Sequence, residues 1–581
     1  YRAEAYTFMG FDMGMRGRGE DALRHLEYAA ELSRRARFRE GEIRSLVFLG
    51  ELGLGAGKRV AGERAAEMLR ETADRYRAAP YRIWARLLIA RYYRETGRLG
   101  EAIGALHEAD KIVISRDSGP DSGVFSQLYR HQRREVFETL VVLLAGEGRV
   151  GEALTAAEKA KAFRTADLLS GQDVGGSAEG RALLRQEAEI RKRIGLLQRR
   201  ILRISGEAGT GRLFEQLTGA QEEHRAVLSR LGKVDGKLLS LISVRGIEPS
   251  ALQGLLDKDT TLFDYFATDS SLYVWAINRE RIHMERLALS REALRSLVFS
   301  VLDAIHGKSK RRTENLSRKA YDLLLKPVIP FVAGERIGFI PDDCLNYFPF
   351  AAMNYRGKFL IEGFSLFHLS GAGLLEQALA AKESSSLRIL AFGDPDLENE
   401  MLDLHNAAGE LGQVRKRIGS TTLLTKDQAS EAKVAEMMAG YDILHFAVRG
   451  QFYPDAPLRS GLLLTPGAGQ DGTLSALEIF RLHYHGRAVV LSGCDPLPEK
   501  DPEGTGLSLL RQAFLYAGSP SVVSTLWLVD DKAASRLLDV FYQQLAKKEP
   551  LADSLRAAQL RLLRGGYPAH VWAAFSLVGR Y

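Results

Sequence analysis

Cysteine is almost absent from this chain: there are two in 581 residues, Cys344 and Cys494, 150 positions apart. That number and spacing exclude a disulfide framework and a cysteine metal cluster, and they fit a reducing compartment, the cytoplasm. Long apolar runs are missing as well. No stretch of about 18 apolar residues occurs, so the sequence predicts no membrane-spanning helix and no membrane partner. Nothing in it calls for a cofactor. A strong charge bias is also lacking. Eighty Lys and Arg face 73 Asp and Glu for a net charge of +7, which permits an acidic partner without requiring one. The chain opens on Tyr1 and not on Met, which leaves open whether the native N-terminus is missing, so the lack of a signal peptide excludes little. With 45% apolar and 26% charged residues the composition is that of a globular protein, and its length predicts two to four domains.

What is present begins with a repeat. Gly17, Gly57 and Gly97 are spaced by 40 residues each, and each separates one amphipathic helical pattern from the next. Small and apolar residues recur around them: Gly10, Met13, Ala22, Leu26 and Ala29 about Gly17, and Ala90, Tyr93, Ala102, Leu106 and Ala109 about Gly97. Gly148 carries a further copy with Val141, Leu144, Ala153, Ala157 and Ala160. The Gly57 copy is poor, because Gly53 stands where an aromatic is usual. The pattern resembles tetratricopeptide repeats of the longer kind. It predicts an α-solenoid over 1–170, whose concave face would bind a protein partner.

Residues 171–180, Gly-Gln-Asp-Val-Gly-Gly-Ser-Ala-Glu-Gly, read as a flexible linker. Beyond them Leu183, Ile190, Ile194, Leu197, Ile201 and Ile204 keep the 3–4 spacing of a coiled-coil-like helix. A turn over 206–211 and a return over 214–242 would complete a helical hairpin, so 171–245 is expected to be linker plus hairpin. Its predicted outer face holds Arg181, Arg185, Arg191, Arg193, Arg199, Arg200 and Arg203. A solvated face explains these; a nucleic-acid stripe is the alternative, but aromatic residues to stack bases are lacking.

From about 246 the texture becomes alternating strand and helix. Thr261–Ala267, Leu272–Asn278 and Ile282–Leu289 predict a strand meander, and helices are predicted near 291–306 and 313–326. Short apolar strands then follow at Arg336–Ile340, Leu387–Phe392, Thr421–Leu424, Asp442–Ala447, Ala488–Ser492 and Ser521–Leu526, with helices between most of them. This is the pattern of a mostly parallel sheet covered on both faces, whose functional groups gather at the carboxyl ends of its strands. Arg449-Gly450, Cys494 and Asp530-Asp531 are each expected just past such an end.

A series of motifs resembles the CHAT family, caspase-like cysteine peptidases that commonly follow tetratricopeptide repeats. In order these are Phe339 to Met353 with its Pro-Phe turn, Phe392-Gly-Asp-Pro-Asp396, Asp442-Ile-Leu-His-Phe-Ala-Val-Arg-Gly450 and Leu491-Ser-Gly-Cys494. Gly504-Thr-Gly506, Ala513 to Gly518, Leu526-Trp-Leu-Val-Asp-Asp531 and a terminal strand in His570 to Gly579 continue it. The resemblance covers 246–581. It implies a multidomain chain: helical solenoid, helical hairpin, then an α/β caspase-like domain.

By this resemblance Cys494 holds the nucleophile position, the backbone N–H of Gly450 and of Cys494 would stabilise an oxyanion, and the residue before Gly450 would be the histidine base. That histidine is lacking: the position holds Arg449. A guanidinium cannot accept the thiol proton or hand it to a leaving amine. It is expected to lower the Cys494 pKa by its charge. Substitute bases are His445, placed four residues upstream in the core, then His405 and His570; His483 and His485 belong to the far end of the Cys494 strand. Asp495, Asp530 and Asp531 are the weak pocket residues, with helix capping as the alternative for the last two. Cys344 reads as a structural turn residue.

Four functions compete. The first is a pseudoprotease that binds or regulates. The second is a cysteine endopeptidase with a substitute base, active alone or assembled by a partner. The third is a repeat scaffold with the α/β half as support, and the fourth is a nucleic-acid binder using the basic hairpin. Partner identity, specificity, trigger and oligomeric state are not legible in the sequence.

Overall fold

In the computed structural model two compact units divide the chain, Tyr1–Gly246 and Ile247–Tyr581. It describes all residues except 56, 116–123, 170–171, 205–209, 243–245, 356, 381–386, 398–406, 468 and 497, and for 124–130 and 531 it describes the backbone alone.

The recurring glycines make turns. Gly17, Gly57, Gly97 and Gly148 all take positive φ, between 68° and 77°, where a Cβ is disfavoured. They separate α1 (Arg2–Met15) from α2 (Gly19–Arg35), α3 (Arg39–Gly55) from α4 (Arg59–Arg75), α5 (Ala79–Glu95) from α6 (Leu99–Ser115), and α7 (Val124–Gly146) from α8 (Val150–Leu168). The intervening turns use Arg37 (φ 54°) and Arg77 (φ 51°) in the same left-handed region. Each helix packs on the next, which makes the first unit a run of helical repeats.

The weak Gly57 copy has a packing explanation. A Cβ on Gly53 would come within 2.6 Å of the Gly62 Cα, so α3 and α4 lie in close contact there. The aromatic expected at 53 is supplied by Tyr92 of α5, fully buried, whose hydroxyl donates to the Gly50 carbonyl at 2.8 Å.

Two corrections concern the following segment. Residues 173–177 are held in place where a flexible linker is expected: Val174 is buried, and the Ser177 backbone N–H donates to Asp235 at 3.0 Å. Residues 178–180 already belong to α9 (Ala178–Arg203), and Ser177 caps it through the Gly180 N–H. The return is α10 (Thr210–Val234) and α11 (Gly236–Ile242). Most of the expected turn at 206–211 lies outside the described residues. Arg191 is not on the outer face either. It is buried, 3.5 Å from Glu187. Arg39 fastens the hairpin to the repeats, donating to the Ile201 and Ile204 carbonyls at 3.0 and 3.1 Å.

Among the described residues the second unit holds fifteen strands: β1 (Thr260–Ala267), β2 (Leu272–Ile277), β3 (Ile282–Leu287), β4 (Arg336–Ile340), β5 (Asn354–Tyr355), β6 (Lys358–Phe359), β7 (Ser365–His368), β8 (Ile389–Gly393), β9 (Thr421–Leu424), β10 (Ile443–Gln451), β11 (Gly461–Leu463), β12 (Thr473–Ser475), β13 (Ala488–Gly493), β14 (Ser521–Thr525) and β15 (Phe575–Gly579). Thirteen of them form one mixed sheet among the described residues. β9, β8, β10, β13 and β14 run parallel in that order; β15 is antiparallel to β14 and passes the sheet on to β7, β4 and β1, with the β2–β3 hairpin at the far edge. β8, β13 and β14 are buried throughout, as parallel strands covered on both faces require. β7, β11 and β12 were not expected, and the terminal strand is confined to 575–579, with a helical turn at Ala569–Trp572.

Candidate active site

β10 and β13 are neighbours, and their register decides the geometry. Ile443 faces Ala488 and Phe446 faces Leu491, one residue to one. Between Phe446 and Arg449 the register slips, so that Arg449 stands beside Gly493. Such a bulge re-aims a side chain next to a functional site. Arg449 therefore pairs with the residue before Cys494, near the carboxyl ends of two parallel strands. Arg449 and Gly450 are not past the end of β10, however. The strand continues to Gln451, and Gly450 pairs with Leu462 of β11. Glycine suits position 450 because a Cβ there would lie 2.9 Å from the Phe452 ring and 3.5 Å from the Cys494 Cα.

Cys494 is a free thiol with no exposed surface. Its carbonyl accepts the Thr525 hydroxyl at 2.9 Å. Burial pushes the thiol up to about 12, opposed by the Arg511 guanidinium and reinforced by Asp495. The lowering expected from Arg449 is thus not found: the shift is upward, and the charge that opposes it is Arg511. Desolvation outweighs the neighbouring charge, and the thiolate would be about one part in 10⁵ at pH 7.

Arg511 had no place in the sequence reading. It lies on the helix Thr505–Ala517, 4% exposed, and donates to the Ser524 hydroxyl at 2.7 Å and the Ser576 hydroxyl at 2.9 Å. Burial lowers it to about 10, which leaves it charged at neutral pH. The signal was a lone cation in the apolar run Leu-Ser-Leu-Leu-Arg-Gln-Ala-Phe-Leu.

The other candidates separate. Asp495 accepts the Leu528 N–H at 3.3 Å. Its charge also reaches His306 at the end of the helix Arg291–His306, a histidine the sequence reading passed over, whose ring meets Trp527 edge-on at 5.3 Å. Asp530 caps the helix Asp531–Ala546, accepting the Ala533 N–H at 3.1 Å. The Asp531 side chain and His405 lie outside the described residues. His445 is fully buried, with Nδ1 2.7 Å from the Tyr542 hydroxyl and Nε2 2.8 Å from Glu410. Both nitrogens are engaged, as in a packed core histidine. The same Glu410 oxygen accepts the Ser492 hydroxyl at 2.6 Å. His570 neighbours His306 and Lys308, and burial lowers it. Cys344 is buried in the 3₁₀ turn Asp343–Tyr347, and burial raises its thiol.

Residues 314–580 match the family model of the CHAT domain. The chain carries a CHAT domain. This makes the second unit a caspase-like cysteine-peptidase-type module, joined in one chain to N-terminal helical repeats. The CHAT match begins within the helix Lys310–Leu324, although β1, β2 and β3, which precede it, belong to the same sheet. No curated protein matches the chain. Among solved structures, two of the Saccharomyces cerevisiae separase–securin complex, at 3.0 and 2.6 Å resolution, resemble it at 11% identity with TM-scores of 0.41 and 0.36. Both alignments cover the whole of this chain and 53% of the other, so the chain spans about half the length of those chains. No helix described is long and apolar enough to cross a membrane.

Proposed function

We propose that this protein is a CHAT pseudoprotease, a binding or regulatory module in which the peptidase fold is retained and peptide cleavage is lost. The observation that carries the reading is at the β10–β13 pair: Arg449, opposite Gly493, stands where a base is needed, and the next residue along, Cys494, holds a nucleophile-position thiol that is fully buried and pushed up to about 12. Loss of general acid–base transfer alone lowers a rate by about 10²–10⁴-fold, and the thiol's protonation acts in the same direction.

The repeats would supply the partner surface. A groove of about 790 Å³ lies along α2, α3 and α4, where Glu27, Arg34, Lys58 and Arg64 surround the apolar Val60 and Met68. That mixture suits a folded or extended protein segment. The arginines of the hairpin favour a protein over a nucleic acid, because Arg193 is paired with Glu223, Arg203 lies 3.9 Å from Glu40 and Arg185 lies 4.0 Å from Asp173.

A second reading, an endopeptidase activated by a partner, has one observation in its favour. Arg511 is a buried cation positioned to act on Cys494, so a rearrangement that opened the thiol to solvent would leave a charge there to hold a thiolate. Turnover of mixed peptide libraries distinguishes the two. The pseudoprotease reading expects none above background. Robust cleavage abolished by Cys494→Ala overturns it. Arg449→His is the paired arm, and Cys494-dependent cleavage gained there ties the loss to residue 449.

A further inference from the structure

Away from the Cys494 site, a groove of about 850 Å³ runs between the helices Ala407–Arg417, Asp531–Ala546 and Leu551–Arg564. Five cations line it, Arg417, Lys532, Arg536, Arg561 and Arg564, against two carboxylates, Glu410 and Asp539, a difference of three positive charges. The carboxylates are already engaged. Asp539 takes the Arg417 fork at 2.6 and 2.9 Å, and Glu410 is buried under His445 and Ser492. Arg536 donates to the Tyr567 hydroxyl and lies over that ring. Lys532, Arg561 and Arg564 are exposed, and among the described residues none of the three has a carboxylate partner.

Helix electrostatics do not account for the set. Arg561 and Arg564 end their helix, where the dipole favours cations. Lys532 is at the start of its helix, where the dipole opposes one. Arg561 and Arg564 are also three residues apart on one face, a like-charge pair that is unfavourable without an anion between them.

We propose that this groove binds a carboxylate-rich peptide segment of a protein partner. Guanidinium forks match carboxylates two bonds at a time, and the amides of Gln413 and Gln543 on the groove wall suit a peptide backbone. A nucleic acid fits less well. The groove's aromatic, Tyr567, is taken by Arg536, which leaves no platform for stacking. The proposal is independent of whether Cys494 reacts.

The test uses the full chain and fluorescence anisotropy. The probes are a labelled twelve-residue peptide of alternating glutamate and glycine, its glutamine counterpart and a twelve-nucleotide thymidine strand. The glutamate peptide is expected to bind saturably and to weaken with salt. Replacing all three unpaired cations, Lys532→Gln, Arg561→Gln and Arg564→Gln, should weaken it by about tenfold or more. Arg415→Gln with Lys416→Gln, exposed on the same helix as Arg417 but outside the groove, should leave binding unchanged. Circular dichroism checks that each variant is folded. Absence of saturable binding, equal binding of the glutamine peptide, equal loss in the control variant, retention in the triple variant, or tighter binding of the thymidine strand would each overturn the proposal.

Discussion

Cys494 is fixed on both sides. Two residues before it Ser492 is tied to Glu410 at 2.6 Å, and its own carbonyl holds the Thr525 hydroxyl at 2.9 Å. A backbone movement that carried Cys494 toward solvent would disturb bonds that belong to the core of the sheet. Arg449 would have argued for a reactive thiolate from sequence alone, since charge beside a cysteine is visible in a motif. Burial is not visible there, and it decides the sign. Alkylation of Cys494 by iodoacetamide at pH 7.5 should therefore be slower than that of a free peptide thiol. Its rate should rise about tenfold per pH unit through pH 10 with no plateau, as for a group titrating near 12. Peptide mapping by mass spectrometry separates it from the equally buried Cys344. A plateau near pH 7 or 8 would mean that the thiolate is already formed, and would favour the activated-peptidase reading.

At the scale of elements, the sequence was legible where a repeating physical need writes a pattern. Turns that require left-handed backbone spaced Gly17, Gly57 and Gly97 evenly, and strands buried on both faces left apolar runs at β8, β10, β13 and β14. What could not be read was set by contacts distant in sequence. The slip between Phe446 and Arg449 depends on the partner strand. β11 and β12, three residues each, carry too little pattern. Arg191 reads as solvent-facing by type, yet it packs beside Glu187. Gly53 is the clearest case: the repeat has no aromatic of its own there, and Tyr92 reaches in from α5. Gly62 on α4 tests that explanation, since a Cβ there would collide with the Tyr92 hydroxyl and lie 3.0 Å from the Gly53 Cα. Alanine in place of glycine gains about 1 kcal/mol of helix propensity. Overpacking and the lost bond to the Gly50 carbonyl should outweigh it, for a net loss of about 1–3 kcal/mol in urea unfolding. Removing the hydroxyl with Tyr92→Phe should restore part of the loss. If Gly62→Ala instead stabilises the protein, the close approach of α3, α4 and α5 is wrong.

Across the whole molecule, burial moves titratable groups in directions that bound stability from both sides of neutrality. Burial lowers His107 in the first unit and His306, His368 and His570 in the second, with His368 brought down to about 3 beside the Arg511 charge. The unfolded chain takes up these protons near pH 6.5 while the folded chain refuses them until lower pH. Protons then favour unfolding, and stability is lost as the pH falls from about 7 toward 5. The thiols act at the other end. An unfolded cysteine ionises near 8.5, whereas Cys494 stays protonated to about 12. Stability is therefore also lost as the pH rises above about 8.5. Calorimetry of the full chain from pH 5 to pH 10 should give the highest Tm between about pH 7 and pH 8.5. His368→Gln should flatten the acid side, and Cys494→Ser should reduce the fall on the alkaline side. A Tm that is level or rises between pH 7 and pH 5 would show that these histidines are charged in the folded protein, and that the interior around Arg511 is wetter than its burial implies.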